Sequence, residues 1–506
     1  MAIAKRAVSQ PVSLPAPVGG WNARDSLTSM APNDAVTLTN WFPATTECVL
    51  RSGYTKWATG ITGQVETIMA YAGGSTDKLF AIAGGKVYDV TSSGAVGAAS
   101  VTGLTNSRWG YCNIATSGGN FLSMANGVDA PYTYNGTTWS NPAITGVIAT
   151  TLKDPILYAQ RQFFIGVNTL KVWYLPVDSI AGAANAVDIA PYATKGGHIV
   201  AHGTWTIDAG QGVDDHYVIM TSKGQVIVYQ GIDPSNANSW SMVGVWDIGA
   251  PVGPRSLYKY AGDMLIVCQD GVVPMSAALQ SSRVNPKVAI TDKIQYAISE
   301  SITNYGSNFG WQLIYVPTIN QLWLNVPVQE GQSQQQYSMN TITGAWCNYT
   351  GWNANCFEIF QDNPYFGGNG YVGRAWYGTS DAGSNINGLG LQAFTNFNNA
   401  GTLKRFTMAR PIFRSDGIPA VKAEINVDFN TEAPISSLNF SPSTYATWDS
   451  GIWDASSWGG ALNVFQQWQG VHGVGYYGAP IVQTAANNIQ VRWVSTDIVI
   501  EGGAIL

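Results

Sequence analysis

With 506 residues the chain exceeds what one ordinary core organises, so about two to four folding units are expected. Its residues are 45% hydrophobic and only 11% charged, with 56 glycines and 19 tryptophans; this excludes a disordered chain and favours β-structure that buries much of its surface. A net charge of −6 excludes a protein that grips nucleic acid through its phosphates, because such affinity needs clustered Lys and Arg.

The opening "MAIAKRAVSQPVSLPAPVGG" begins basic, but prolines replace the apolar core of a secretory signal, so a soluble protein that stays where it is made, or leaves by a route that needs no signal, is expected. Residues 1–20 read as an extended arm. No run approaches the ~18 apolar residues of a membrane span. At "APNDAVTLTNW" Asn33 or Asp34 can cap free amides, which predicts a short helix. From Gly63 onward, apolar runs of four to eight residues alternate with Gly, Asn and Asp, the signal of many short antiparallel strands. Seven segments share the grammar strand, turn, strand: Asp77 to Thr91, Gly119 to Trp139, Arg161 to Leu175, Asp215 to Gly231, Gly262 to Ser276, Asn320 to Tyr349 and Pro364 to Gly378. Their spacing matches propeller blades, and stacking around an axis explains how marginal hairpins bury their faces. The expectation is an all-β protein, with a β-propeller of six to eight blades over residues 63–380; several small sandwiches are the competing arrangement. One helix is expected at "ITDKIQYAISES", with Thr291 as its cap. Beyond Ser380 longer alternating strands predict a smaller C-terminal β-domain over 381–506, with residues 21–62 as a lead-in segment packed against it.

Signatures of chemistry are sparse. The five cysteines form no CxxC pair and read as buried, reduced thiols. His198 and His202 are four apart but glycine-flanked, without the Glu of a zincin, and read as packing or surface residues. Neither GxSxG nor GxxxxGK[ST] occurs. Asp214 and Asp215 are adjacent, in a stretch that reads as a loop leading into a strand, a poor arrangement for paired glycosidase carboxylates. No catalytic, metal-binding or cofactor-binding residue is expected, and the chain reads as a non-enzyme. Charge is uneven: residues 1–60 carry Lys5, Arg6, Arg24, Arg51 and Lys56 against three acids, whereas 440–506 carry Asp449, Asp454, Asp497 and Glu501 against Arg492. The densest basic group is Lys404, Arg405, Arg410 and Arg414.

The stretch "TWDSGIWDASSW" (Thr447 to Trp458) holds two Trp-Asp dipeptides five residues apart, too close for a Trp-Asp blade repeat. Five residues align Trp448, Trp453 and Trp458 on neither a helix nor a strand, so they read as turn-borne anchors at a domain or subunit interface. Lys404, Arg405 and Arg410 are candidates for the same interface.

Several stretches resemble the tail nozzle, or packaged-DNA stabilisation, proteins of short-tailed bacteriophages. "GGWNARDSLTSMAPNDAVTLTNWFPATTECVLRSGYTKW" (Gly19 to Trp57) looks like their lead-in segment, from a Gly-Gly pair through Asn-Arg-Asp and Pro-Asn-Asp-Ala to Arg-x-Gly. "KRFTMARPIFRSDG", the Trp-rich stretch and "QWQGVHGVGYYGAPIV…IVIEGG" look like their second domain. The resemblance implies a homohexameric virion tail component, assembled in the host cytoplasm below portal and adaptor proteins. It implies non-specific passage of double-stranded DNA and docking of tail fibres or tailspikes. On that reading Lys5, Arg6 and Arg24 are candidate adaptor contacts, and Asp449, Asp454, Asp497 and Glu501 candidate acidic lumen residues. The rival function is a carbohydrate-binding or glycoside-hydrolysing propeller.

Overall fold

The computed structural model describes residues 9–74, 76–208, 213–278, 286–433, 438 and 462–502. Seven propeller blades can be traced in the strand pairing among the described residues. Blade 1 takes Val65 to Tyr71 innermost, then Lys78–Ala83 and Lys86–Asp89, with an outer bridge at Val101. Blade 2 is Gly110–Thr116, Gly119–Ala125, Tyr132–Tyr134 and Trp139–Ser140; blade 3 is Leu152–Tyr158, Arg161–Gly166, Lys171–Tyr174 and Asn185–Asp188. Blade 4 is Ile199–Asp208, Val213–Thr221, Gln225–Gly231 and Trp240–Asp247, and blade 5 the three strands Leu257–Tyr260, Asp263–Cys268 and Gly271–Pro274. Blade 6 is Gln312–Val316, Gln321–Gln329, Ser333–Asn340 and Trp346–Thr350; blade 7 begins with Phe357–Phe360, Asn363–Gly367 and Asn369–Ala375. Each of the seven hairpins legible in the sequence falls in a different blade.

Blade 7 is completed by the chain's other end. The 18-residue strand Tyr54–Tyr71 pairs through its first half with Asn369–Ala375 and through its second half with Lys78–Ala83. One strand is therefore the outer edge of the last blade and the inner edge of the first, which closes the ring. Between consecutive blades lies a separate apolar cluster: Met69, Phe80 and Leu122 join blades 1 and 2, while Val65, Ala81 and Phe360 join 7 and 1. Each fully buried large apolar side chain contributes roughly 1.5–3 kcal/mol.

The sheet of blade 6 continues into a second body. Asp34–Thr39 pairs with Trp346–Thr350 on one side and Ile386–Gln392 on the other, followed by Gly478–Ala486 and Ala420–Val427, making nine strands. Opposite lies a seven-stranded sheet containing Lys404–Ser415 and Val491–Gly502, onto which Ser9–Pro15 and Cys48–Leu50 pair. Trp41, Phe413 and Trp493 fill the space between the sheets, with Trp41 5.9 and 5.7 Å from the other two rings.

Two local expectations change. Asp34 opens a strand rather than capping a helix, because its carboxylate accepts from Asn22 and Lys293, and the residues after it pair with Ile386–Gln392, Thr39 also with Asn348. The helix near residue 291 forms as Gln295–Tyr305, but Thr291 Oγ1 accepts from the Val272 amide instead of capping it. All five cysteines are free thiols, four of them buried. Among the described residues no helix is long and apolar enough to cross a membrane.

Where the two bodies meet, Arg51 is buried. Its guanidinium makes paired bonds of 2.8 and 2.5 Å to Asp381, and it also donates to Asn40 Oδ1 and to the carbonyls of Thr350 and Ser52, 4.8 Å from the Trp352 ring. Gly53 is needed beside it, because a Cβ there would lie 1.8 Å from the Ser380 carbonyl oxygen. Removing one partner of a buried pair strands the other charge. Asp381→Asn is therefore expected to lower unfolding free energy by about 3–5 kcal/mol in urea titration; a loss below about 1 kcal/mol would mean that the pair is screened as a surface pair is.

Candidate functional site

The innermost strands converge on a cavity of about 250 Å³ to which every blade contributes: Thr67, Tyr111, Asp154, His202, Arg255, Gln312 and Glu358 come from blades 1 to 7 in order, Arg255 from the turn entering blade 5. A second cavity of about 350 Å³ shares Asp154 and Arg255 with it and adds Lys153, Arg108 and Phe309.

The polar groups here are mostly fixed by one another. Tyr111 donates its hydroxyl to Glu358, whose other oxygen accepts from the Ile359 amide. Arg255 donates to the Glu66 carbonyl at 2.9 Å, to Thr67 Oγ1 at 3.2 Å and to Gln312 Oε1 at 3.4 Å, all uncharged acceptors. His202 Nε2 lies 2.5 Å from the Asp154 carbonyl oxygen, which can only accept, so that nitrogen carries the proton and Nδ1 accepts from the Tyr217 hydroxyl. Burial pushes this imidazole down to about 4, so it is neutral. Asp154 sits at a register shift in the first strand of blade 3, at φ 53°. Gly110 of blade 2 makes room, since a Cβ there would approach the Asp154 Cα to 2.6 Å. Burial raises the Asp154 carboxyl to about 6, against the pull of Lys153 and Arg255. Burial likewise raises Glu358 to about 7, with Tyr111, the Ile359 amide and Arg255 pulling it part of the way back.

One mouth of the axis is stoppered. The turn after Gln295–Tyr305 lays Phe309 under two guanidinium groups, Arg108 at 4.3 Å and Arg255 at 5.0 Å from the ring centroid. Arg108 also binds Glu66 at 2.9 Å and reaches across to Glu330, which accepts the Phe309 amide. Glu330 begins the hairpin tip "EGQSQQQ", so that tip is anchored over the axis, and Asn369 holds the Gly331 carbonyl from blade 7. These described residues cover one mouth of the small polar chamber.

The residues singled out from sequence lie elsewhere. Lys5, Arg6, Trp448, Trp453, Trp458, Asp449 and Asp454 fall outside the described residues. Arg24 is bonded to Asp25 and Asp292, within the chain. Lys404 is buried and donates to the carbonyls of Asn399, Thr402 and Tyr476. Arg405 faces Glu501 at 3.9 Å, and Arg410 binds Asp497 at 2.6 Å while stacking 4.6 Å from the Trp468 ring. These pairs sit across one ladder, so Asp497 and Glu501 are matched by cations rather than forming a bare acidic strip. Asp214 and Asp215 lie in a strand, where Asp215 accepts from Thr206. Of the axial residues only His202 is marked in the sequence, and as a packing or surface residue; the others share no local motif, and their common signal is position, in the first strand or the turn leading into it.

No family model matches the chain, and no curated protein does. Solved structures similar to it include BBS1N in complex with ARL6DN (11% identity, TM-score 0.41, 66% of this chain and 99% of that chain). Others are the Swd1 β-propeller domain of Myceliophteria thermophila Cps50 (11%, 0.41, 64% and 99%) and YCF48 bound to D1 peptide (11%, 0.36, 64% and 97%). At these scores the likenesses carry no argument about function; the propeller rests on the strand pairing above.

Glu358 and Asp154 bind their protons more tightly folded than unfolded. Stability from them is therefore present at low pH and lost as pH rises through about 6 to 7. Glu358→Gln is expected to flatten the fall in unfolding free energy between about pH 5 and about pH 8. An unchanged fall in urea titrations of the variant would contradict the assignment.

Proposed function

We propose that the chain is a non-enzymatic structural subunit of a short phage tail, a nozzle or hub whose copies form a hexameric ring below the portal and adaptor. The ring retains packaged DNA, conducts it at ejection and docks fibres or spikes. The observation that carries the reading is where the resembling lead-in residues sit. Asn22 binds Asp25 and Asp34 at 2.9 and 2.8 Å, Lys293 binds Asp34 at 2.6 Å, and Arg51 binds Asp381. The lead-in residues that resemble the family thus help fasten the two bodies to each other, a structural role that needs no catalysis.

The stoppered axis adds a constraint: the DNA path runs between copies, bounded by their surfaces, and not through any propeller. A carbohydrate-active propeller remains the second reading, favoured by the two proton-holding carboxyls on the axis. The two readings part on assembly. Native mass spectrometry is expected to give a particle near six times 54.1 kDa; a monomer that binds or cleaves glycans would overturn the nozzle. Because Ser9–Pro15 is a strand of the seven-stranded sheet, the truncation that probes the arm stops before it. Deleting residues 1–8 is expected to leave the thermal midpoint unchanged and weaken attachment to tail intermediates, and normal attachment would remove the arm's role.

A further inference from the structure

Consecutive residues of a regular strand point to opposite faces. Lys153 and Asp154 do not: both line the cavity of about 350 Å³ bounded by blades 2 to 4, the turn entering blade 5 and the Phe309 turn. The cause is the register shift between Lys153 and Ile156, where Asp154 takes its positive φ of 53°. Bulges of this kind re-aim side chains, and strained backbone clusters where it serves a site. The volume falls within the roughly 300–1,000 Å³ of small-molecule sites. Ser307 on its lining is exposed, so the cavity meets solvent there.

Two cations line this space beside Asp154. The Arg255 guanidinium is fixed by its bonds to the Glu66 carbonyl, Thr67 Oγ1 and Gln312 Oε1 and by the Phe309 ring, which leaves part of its donor fork unused. Burial lowers the half-buried Lys153 below the usual lysine value, and Asp154 pulls it part of the way back. The remaining groups are settled among themselves. Arg108 binds Glu66 and Glu330, Tyr111 binds Glu358, and His202 is held neutral between Asp154 and Tyr217. Burial, with Lys153 and Lys223 nearby, keeps His198 below the usual histidine value. When Asp154 and Glu358 hold their protons, Lys153 and Arg255 leave two positive charges in a largely buried space. Buried charge is costly until an opposite charge with good hydrogen bonds meets it.

We propose that this cavity binds a small tetrahedral oxyanion of the phosphate or sulfate type between the Lys153 ammonium and the unused donors of Arg255, with Asp154 beside it. Two cations match a dianion in charge, and a guanidinium fork next to a compact ammonium suits its oxygens. Asp154 sets the condition. Protonated, it can donate to the anion; ionised, it repels the anion and competes for the cations. Glu358 acts in the same sense through Arg255. Binding is therefore strongest while both carboxyls are protonated and weakens as pH rises through about 6 to 7. The site lies within one copy of the chain and does not depend on the nozzle reading.

The test is calorimetric titration of the full chain with sulfate, against chloride at matched ionic strength. Sulfate keeps its charge between about pH 5 and about pH 8, so a pH dependence reports the protein. Affinity is expected to be about tenfold or more higher at the lower pH. Lys153→Met is expected to weaken binding there about tenfold or more while the protein stays folded by its thermal midpoint. Asp154→Asn, which imitates the protonated carboxyl, is expected to bind sulfate more tightly than the wild type at about pH 8. That gain is one a merely structural role would not produce. Glycerol phosphate compared with inorganic phosphate then separates the sources: tighter binding of the ester assigns a phosphorylated metabolite, and equal binding the free ion. No binding above the chloride control, equal affinity in Lys153→Met, or no gain in Asp154→Asn would overturn the site.

Discussion

The architecture turns on the burial of one guanidinium. Arg51 comes from the lead-in strands, Asp381 follows the last blade, and Thr350 and Trp352 belong to blade 6; a single planar fork satisfies all of them. Burying that charge costs several kcal/mol unless geometry and hydrogen bonding are complete. Here the carboxylate is bidentate, and Asn40 and two backbone carbonyls take further donors. A planar, always charged group suits this junction, whereas a lysine ammonium would satisfy fewer partners in fixed directions. The pair specifies how the propeller and the second body meet, and the strand that follows it, Tyr54–Tyr71, closes the ring.

Much of the fold was legible in the sequence. Seven hairpins could be read from turn glycines and alternating apolar runs, and each fell in a different blade. The smaller β-body was also legible as longer alternating strands. What local pattern could not mark was continuity between parts. Tyr54–Tyr71 looks like two short segments broken at Gly60 and Gly63, yet it is one strand serving two blades. Asp34–Thr39 carries a plausible cap, and only its partners on both sides, each over 300 residues away, make it a strand. The axial chamber was invisible for the same reason. Asp154, Arg255 and Glu358 meet only because the ring closes, and nothing adjacent to them in sequence advertises the meeting.

The chamber and its stopper shape what the molecule can do. Phe309 between two arginines, held with Glu66 and Glu330, covers one end of a small polar chamber. On the proposed reading, a conduit for DNA is built between several copies. The propeller rim ends in short or covered strands at most blades and in a longer, bulged strand at blade 4, while the seven-stranded sheet carries a ladder of matched Arg and acid pairs. Low charge and internal matching mean that contacts with other chains rely on shape, apolar area and backbone pairing more than on long-range attraction.

The most direct test of the proposed role is an electron cryo-microscopy map of the assembled protein with duplex DNA. The account predicts six copies around a central opening, with DNA density confined to that opening and every propeller axis free of it. Isolated copies, or density threading a propeller axis past Phe309, would contradict it.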